Sequence, residues 1–108
     1  AYSGTASIST TEFSCPNNST TLTPVTADGV YQMFLDTSDM VAGDQLQIRI
    51  YEKCRSADTQ RIIYEVVLTD TMAATLVTPS LILLHGWDLT LDALAGTITV
   101  NWSIRQVA

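Results

Sequence analysis

Residues 97–107 read TITVNWSIRQV. Ile98, Val100, Trp102 and Ile104 fall on one phase of a two-residue period, and Thr97, Thr99, Asn101, Ser103 and Arg105 on the other. Successive side chains of a strand point to opposite faces, so this pattern specifies a β-strand with one face buried and one in water. Antiparallel sheets have that character. QLQIRIYEK (45–53) repeats it, with Leu46, Ile48 and Ile50 set against Gln45, Gln47, Arg49 and Tyr51.

Working outward, VYQMFL (30–35) reads as a strand led in by Asp28-Gly29. WDLTLDAL (87–94) alternates Trp87, Leu89, Leu91 and Ala93 against Asp88, Thr90 and Asp92. Ala95-Gly96 then reads as a hairpin turn into the last strand. RIIYEVVL (61–68) is apolar on both phases, which predicts a central strand. Turns are expected at 42–45 (AGDQ), and CRSADTQ (54–60) forms a polar hairpin loop. Nothing has a helical period of helical length, although TDTMAATL and DTSDMVAG each have room for one helical turn. Residues 1 to 29 are polar and rich in Ser and Thr; they read as one or two edge strands or as an extended arm, ahead of a core at 30 to 108. The whole predicts an all-β, antiparallel β-sandwich of about seven or eight strands, jelly-roll-like, in one domain. The two cysteines do not bracket a Trp as an immunoglobulin sandwich requires.

LILLHGWD (81–88) tests whether the chain is an enzyme. An apolar run into His-Gly matches the oxyanion turn of α/β-hydrolases. That fold also needs a GxSxG elbow and a separate base, and the sequence has no GxSxG and one histidine, His85. Ser80 lies five residues from His85, on the order of 16 Å along a strand. Gly86 therefore reads as a bulge or bend in one long strand, with His85, Gly86, Trp87 and Trp102 in structural roles and no catalytic residue.

The 108 residues are 46% hydrophobic and 15% charged, with net charge −6 and pI about 4.3. A naked nucleic-acid backbone is a poor partner for such a chain, since phosphate binding needs clustered Lys and Arg. Arg49, Lys53, Arg55 and Arg61 form at most a small patch. No apolar run approaches the ~20 residues of a membrane helix. The start, Ala1-Tyr2, suits removal of an initiator Met or a trimmed secretory product equally. Cys15 and Cys54 are expected as free thiols, with a single disulfide as the alternative, and no Cys/His cluster supports zinc. The Asn17, Asn18 and Asn101 sequons are of a frequency that chance supplies. Paired carboxylates (Asp36 and Asp39, Asp88 and Asp92, Glu52 and Asp58) read as solvated surface acids. A thin calcium loop at Asp36, Asp39 and Asp44 is the lesser alternative. No metal and no cofactor is expected.

Four stretches together, LDTSDMVAGDQLQIRIYEK (35–53), TQRIIYE (59–65), PSLILLHGWDLTL (79–91) and AGTITVNWSIRQV (95–107), resemble small tailed-bacteriophage virion proteins. The features carrying the resemblance are Asp39, Gly43-Asp44, Pro79-Ser80, His85 to Asp88 and Trp102 to Gln106. It implies a non-enzymatic capsid decoration or cement protein that binds the major capsid protein or another virion protein. Such a protein is made in the host cytoplasm, sits on the capsid surface, and forms a dimer or trimer there. It touches neither nucleic acid nor membrane. A tail, fibre, or carbohydrate- or receptor-binding module is the alternative. Tyr2, Ile8, Phe13, Tyr31 and Tyr51 are the expected partner interface.

Overall fold

A computed structural model describes residues 2–71 and 75–107. Among these residues there are nine strands: β1 (Tyr2–Ile8), β2 (Phe13–Ser14), β3 (Gly29–Asp36), β4 (Gln45–Glu52), β5 (Arg61–Thr69), β6 (Leu76–Val77), β7 (Leu81–Leu83), β8 (Asp88–Ala95) and β9 (Ile98–Gln106). Every pairing is antiparallel. One sheet has the order β1-β9-β3-β6, with β7 also on β3, and the other has the order β2-β8-β4-β5. The protein is an all-β sandwich of jelly-roll-like form.

β6 and β7 are two halves of one interrupted strand. Val77 faces Phe34 and Leu81 faces Tyr31, a register displaced by one residue across Thr78-Pro79-Ser80. Pro79 has no N–H to give the ladder, so pairing breaks there. Thr78 holds the break against β3: its hydroxyl accepts from the Met33 amide at 3.0 Å and its own amide donates to the Met33 carbonyl at 3.0 Å.

The core is the set of inward phases. Ile98, Val100, Trp102 and Ile104 of β9 face Leu46, Ile48 and Ile50 of β4 and Leu89, Leu91 and Ala93 of β8; all are buried. Alternation therefore placed these residues correctly. Tyr31, Met33 and Leu35 of β3 complete the layer.

Three sequence expectations are corrected. First, β5 is an edge strand and not a central one. Ile62, Ile63 and Val67 are exposed, and its apolar second phase lies in water. Second, Ala95-Gly96 is not a hairpin turn. β8 pairs with β2 and β4, and β9 pairs with β1 and β3, so the turn carries the chain from one sheet to the other. Third, residues 81–95 are not one strand. β7 and β8 lie in opposite sheets, and Gly86, at φ +69°, sits at the corner between them. That left-handed backbone is the reason for glycine at the corner.

The β4–β5 hairpin forms as expected around 54–60. The stretch 36–43 makes turns and no helix. The helical turn allowed at TDTMAATL falls largely on residues 72–74, outside the described residues. Residues 2–8 pair along Ile98–Ile104 of β9 as an edge strand. Among the described residues no helix is long and apolar enough to cross a membrane.

Candidate functional site

His85 stands at the corner after β7, partly exposed rather than in the core. The organising group there is Glu52, the last residue of β4, whose side chain is nearly buried. Its carboxylate accepts the Leu84 amide, the His85 amide at 2.9 Å and the Lys53 amide at 3.1 Å. Gln60 donates to the Gly86 carbonyl at 2.8 Å. The corner is thus a carboxylate holding backbone amides. Through these hydrogen bonds Glu52 fixes the backbone of the corner at Leu84 and His85.

The outer face of the second sheet carries a row of polar groups in register. Ser14 faces Thr90, Thr90 faces Arg49, and Arg49 faces Glu65. Glu12 lies across this row and accepts from the Tyr51 hydroxyl at 2.7 Å and from the Thr90 hydroxyl. Arg49 donates to Glu65 at 2.8 Å, as does Gln47 at 3.3 Å. The alternation of β8 puts Asp88 on the solvated face, but it is 3% exposed, because the segment around Ser14 covers it. Its Oδ1 accepts the Ser14 hydroxyl at 2.7 Å and the Leu89 amide at 2.8 Å. Burial pushes the Asp88 carboxyl up to about 6; the bonds from Ser14 and Leu89 oppose the rise and the Glu12 charge adds to it. Burial also raises Asp92, against the opposing charge of Arg49.

This has a pH consequence. A carboxyl that holds its proton more tightly folded than unfolded costs stability when ionised. For Asp88, stability is greatest at low pH and falls as pH rises from about 3.8 to about 6. In Asp88→Asn, the amide oxygen keeps both acceptor roles and that cost disappears. The variant should gain about 1–2 kcal/mol relative to wild type at pH 7 compared with pH 4, after allowance for screening. Urea midpoints at the two pH values measure it, and a difference that does not change with pH would show that burial does not strain the ionised form.

The five residues expected at an interface do not share a surface. Ile8 and Tyr31 are buried in the core. Tyr31 packs against Trp87 with ring centroids 4.7 Å apart and the planes tilted by 45°, and donates its hydroxyl to the Ala27 carbonyl at 3.1 Å. Tyr2 and Phe13 are half-buried, edge-on to Trp87 at 6.0 Å and to Trp102 at 5.4 Å. Tyr51 belongs to the polar row on the other sheet. The alternating phases of β1 and β3 direct these rings inward, and the two tryptophans offer the aromatic faces they fill.

A surface that sequence reasoning missed lies on the outer face of the first sheet. Val30 pairs with Ile82, and Phe34 with Val77. Ile82 is 68% exposed, Val107 57% and Val77 44%. Val107 joins the stripe through its amide, which donates to the Val30 carbonyl. The Arg105 guanidinium lies 3.8 Å over the Phe34 ring, and Asp36, Asn101 and Ser103 border the groove beside it. The available signal was that VYQMFL has apolar residues, Val30 and Phe34, on the phase opposite its buried one.

The calcium alternative finds no convergence. Asp36 accepts the Ser38 amide, Asp39 the Thr99 amide and Asp44 the Val41 amide. Among the described residues no three His, Cys, Asp or Glu side chains are grouped to hold a metal. The cysteines are free, Cys15 buried and Cys54 exposed. Burial, then the Asp88 charge, pushes the Cys15 thiol well above its ordinary value and leaves it unreactive. Comparison with known proteins gave no matching family model, no similar curated protein and no similar solved structure.

Proposed function

We propose that this chain is a non-enzymatic structural protein of a tailed-phage particle, a decoration or cement protein docking on the capsid shell. The observation that carries the reading is the row of apolar residues Val30, Phe34, Val77, Ile82 and Val107 on the outer face of the first sheet, where Ile82 is the most exposed large apolar side chain among the described residues. Apolar side chains exposed together on one sheet face, here in two groups on either side of Gln32, mark protein contact sites. Arg105 at its margin supplies a guanidinium for a carboxylate on the partner. The jelly-roll-like fold, the acidic remainder and the four stretches resembling phage virion proteins support the same role. Fold alone would not, since jelly rolls serve many functions. Repetition on a shell lets a modest contact suffice.

The carbohydrate-binding alternative is less favoured. Sugar platforms expose aromatic rings, and Trp87 and Trp102 are 0% and 4% exposed.

The test is binding to phage heads prepared without this chain. Wild-type protein should bind them saturably, and Ile82→Asp, at an exposed position, should weaken binding at least about tenfold while folding normally. Heads that never take up the protein would refute the role. Equal binding by Ile82→Asp would refute the assigned face.

A further inference from the structure

We infer that β1 is an interface through which two copies of this chain join edge to edge, across a two-fold axis at Thr5. This rests on β1 itself and is independent of the particle role. β1 pairs with β9 over seven residues without a register shift, from Tyr2 opposite Ile104 to Ile8 opposite Ile98. Its other side is the end of the sheet. A regular strand there presents a row of unpaired amides and carbonyls, a template for another strand.

Three observations select a second copy as the occupant. The first is the strand's symmetry. YSGTASI (2–8) has nearly the same kinds of residue on either side of Thr5. An antiparallel pairing about Thr5 sets Ser3 opposite Ser7, Gly4 opposite Ala6, Tyr2 opposite Ile8, and Thr5 opposite itself. Two-fold interfaces require such self-complementarity, and hydroxyl pairs directly opposite are favourable.

The second is charge. A chain of net charge −6 repels its copies where acids meet. Residues 1–11 contain no Asp, Glu, Lys or Arg, so β1 is an edge that two copies approach without that penalty. The other long edge, β5, differs. It carries Arg61 and Glu65, and Ile63 is an extra residue where the register with β4 shifts. Charges and bulges are devices that block strand addition.

The third is how β1 is backed. Gly4 lies on Trp102, where a Cβ would come within 2.7 Å of the ring. The indole lies directly against the inner face of the strand at Gly4. The two-fold lies perpendicular to the sheet, because it must bring inner face beside inner face, and it yields one continuous sheet across two sandwiches. The axis selects a dimer from the dimer or trimer expected of the sequence. A single strand pair buries less than the ~1,000 Å² of a tight interface, so association is weak, in the micromolar range or above.

Sedimentation equilibrium from about 10 μM to about 1 mM covers that range. Wild type should pass from monomer to dimer. Thr5→Lys, exposed on the outer face, sets two ammonium groups opposite each other and should raise the dissociation constant about tenfold. The double variant Ser3→Lys, Ser7→Glu sets opposite charges together twice and should lower it. Val67→Lys on β5 should change nothing. Circular dichroism confirms that each variant is folded. A wild type that remains monomeric throughout overturns the inference, as does a dimer dissociated by Val67→Lys and indifferent to Thr5→Lys.

Discussion

Trp87→Ala is expected to remove about 3–5 kcal/mol of unfolding free energy. Trp87 is completely buried at the point where the chain changes sheets. Tyr31 lies against its ring at 4.7 Å and Tyr2 edge-on at 6.0 Å. Its indole N–H donates to the Ala27 carbonyl at 2.9 Å, and its backbone exchanges both hydrogen bonds with Val25. Truncation therefore opens a cavity under both sheets, while the Ala27 carbonyl keeps the Tyr31 hydroxyl as its donor. Domains of this size have about 5–15 kcal/mol in total, so the loss takes at least about a fifth of the stability. Trp87→Phe keeps most of the ring and should lose about half as much. Urea denaturation followed by far-UV circular dichroism measures both. A loss below about 1 kcal/mol for Trp87→Ala would mean that Trp87 does not anchor the core.

Glu52→Ala is expected to lose about 3 kcal/mol, for a different reason. The carboxylate of Glu52 accepts the amides of Lys53, Leu84 and His85. Removing it leaves partly buried donors without acceptors, which costs more than the net worth of the bonds. Glu52→Gln retains one acceptor oxygen without charge and should fall between the two. Amide hydrogen exchange at Leu84 and His85 separates this from a general weakening. Exchange there should accelerate far more than in β9, and a uniform change across the molecule would contradict the corner's dependence on Glu52.

Both effects fall on LILLHGWD, the stretch whose His-Gly pair resembles catalytic machinery. In the fold it is a sheet-to-sheet corner. Trp87 was legible as core because it shares a phase with Leu89, Leu91 and Ala93. The role of Glu52 was not, because two of the three amides it holds, those of Leu84 and His85, lie more than thirty residues away along the chain. Asp88 was misplaced for the same reason. Its polar phase points to the outer face, and only the return of Ser14, seventy-four residues distant, covers it. The apolar stripe on the first sheet was legible only in part. Val30 and Phe34 break the polar phase of β3 locally, but Ile82 and Val77 join them only through strand pairing.

The sequence by itself determined that the chain is all-β and which side of most strands is buried. Two-residue alternation is a local property, set by the backbone geometry of each strand alone. It could not determine which strands are neighbours. RIIYEVVL is apolar on both phases, a pattern that suggests a central strand, yet the tertiary structure places it at the edge. The turn at Gly96 likewise has the residues of a hairpin, yet it delivers β9 to the opposite sheet. There Ile98, Val100, Trp102 and Ile104 face the inward phases of β4 and β8 across the sandwich, burying both sets at once. A hairpin would have placed β9 beside β8 in one sheet, and the other sheet would have lost its central strand. Partner choice is thus decided by the joint burial of residues far apart in the chain, and it sets which strands, β1 and β5 among them, lie at the sheet edges.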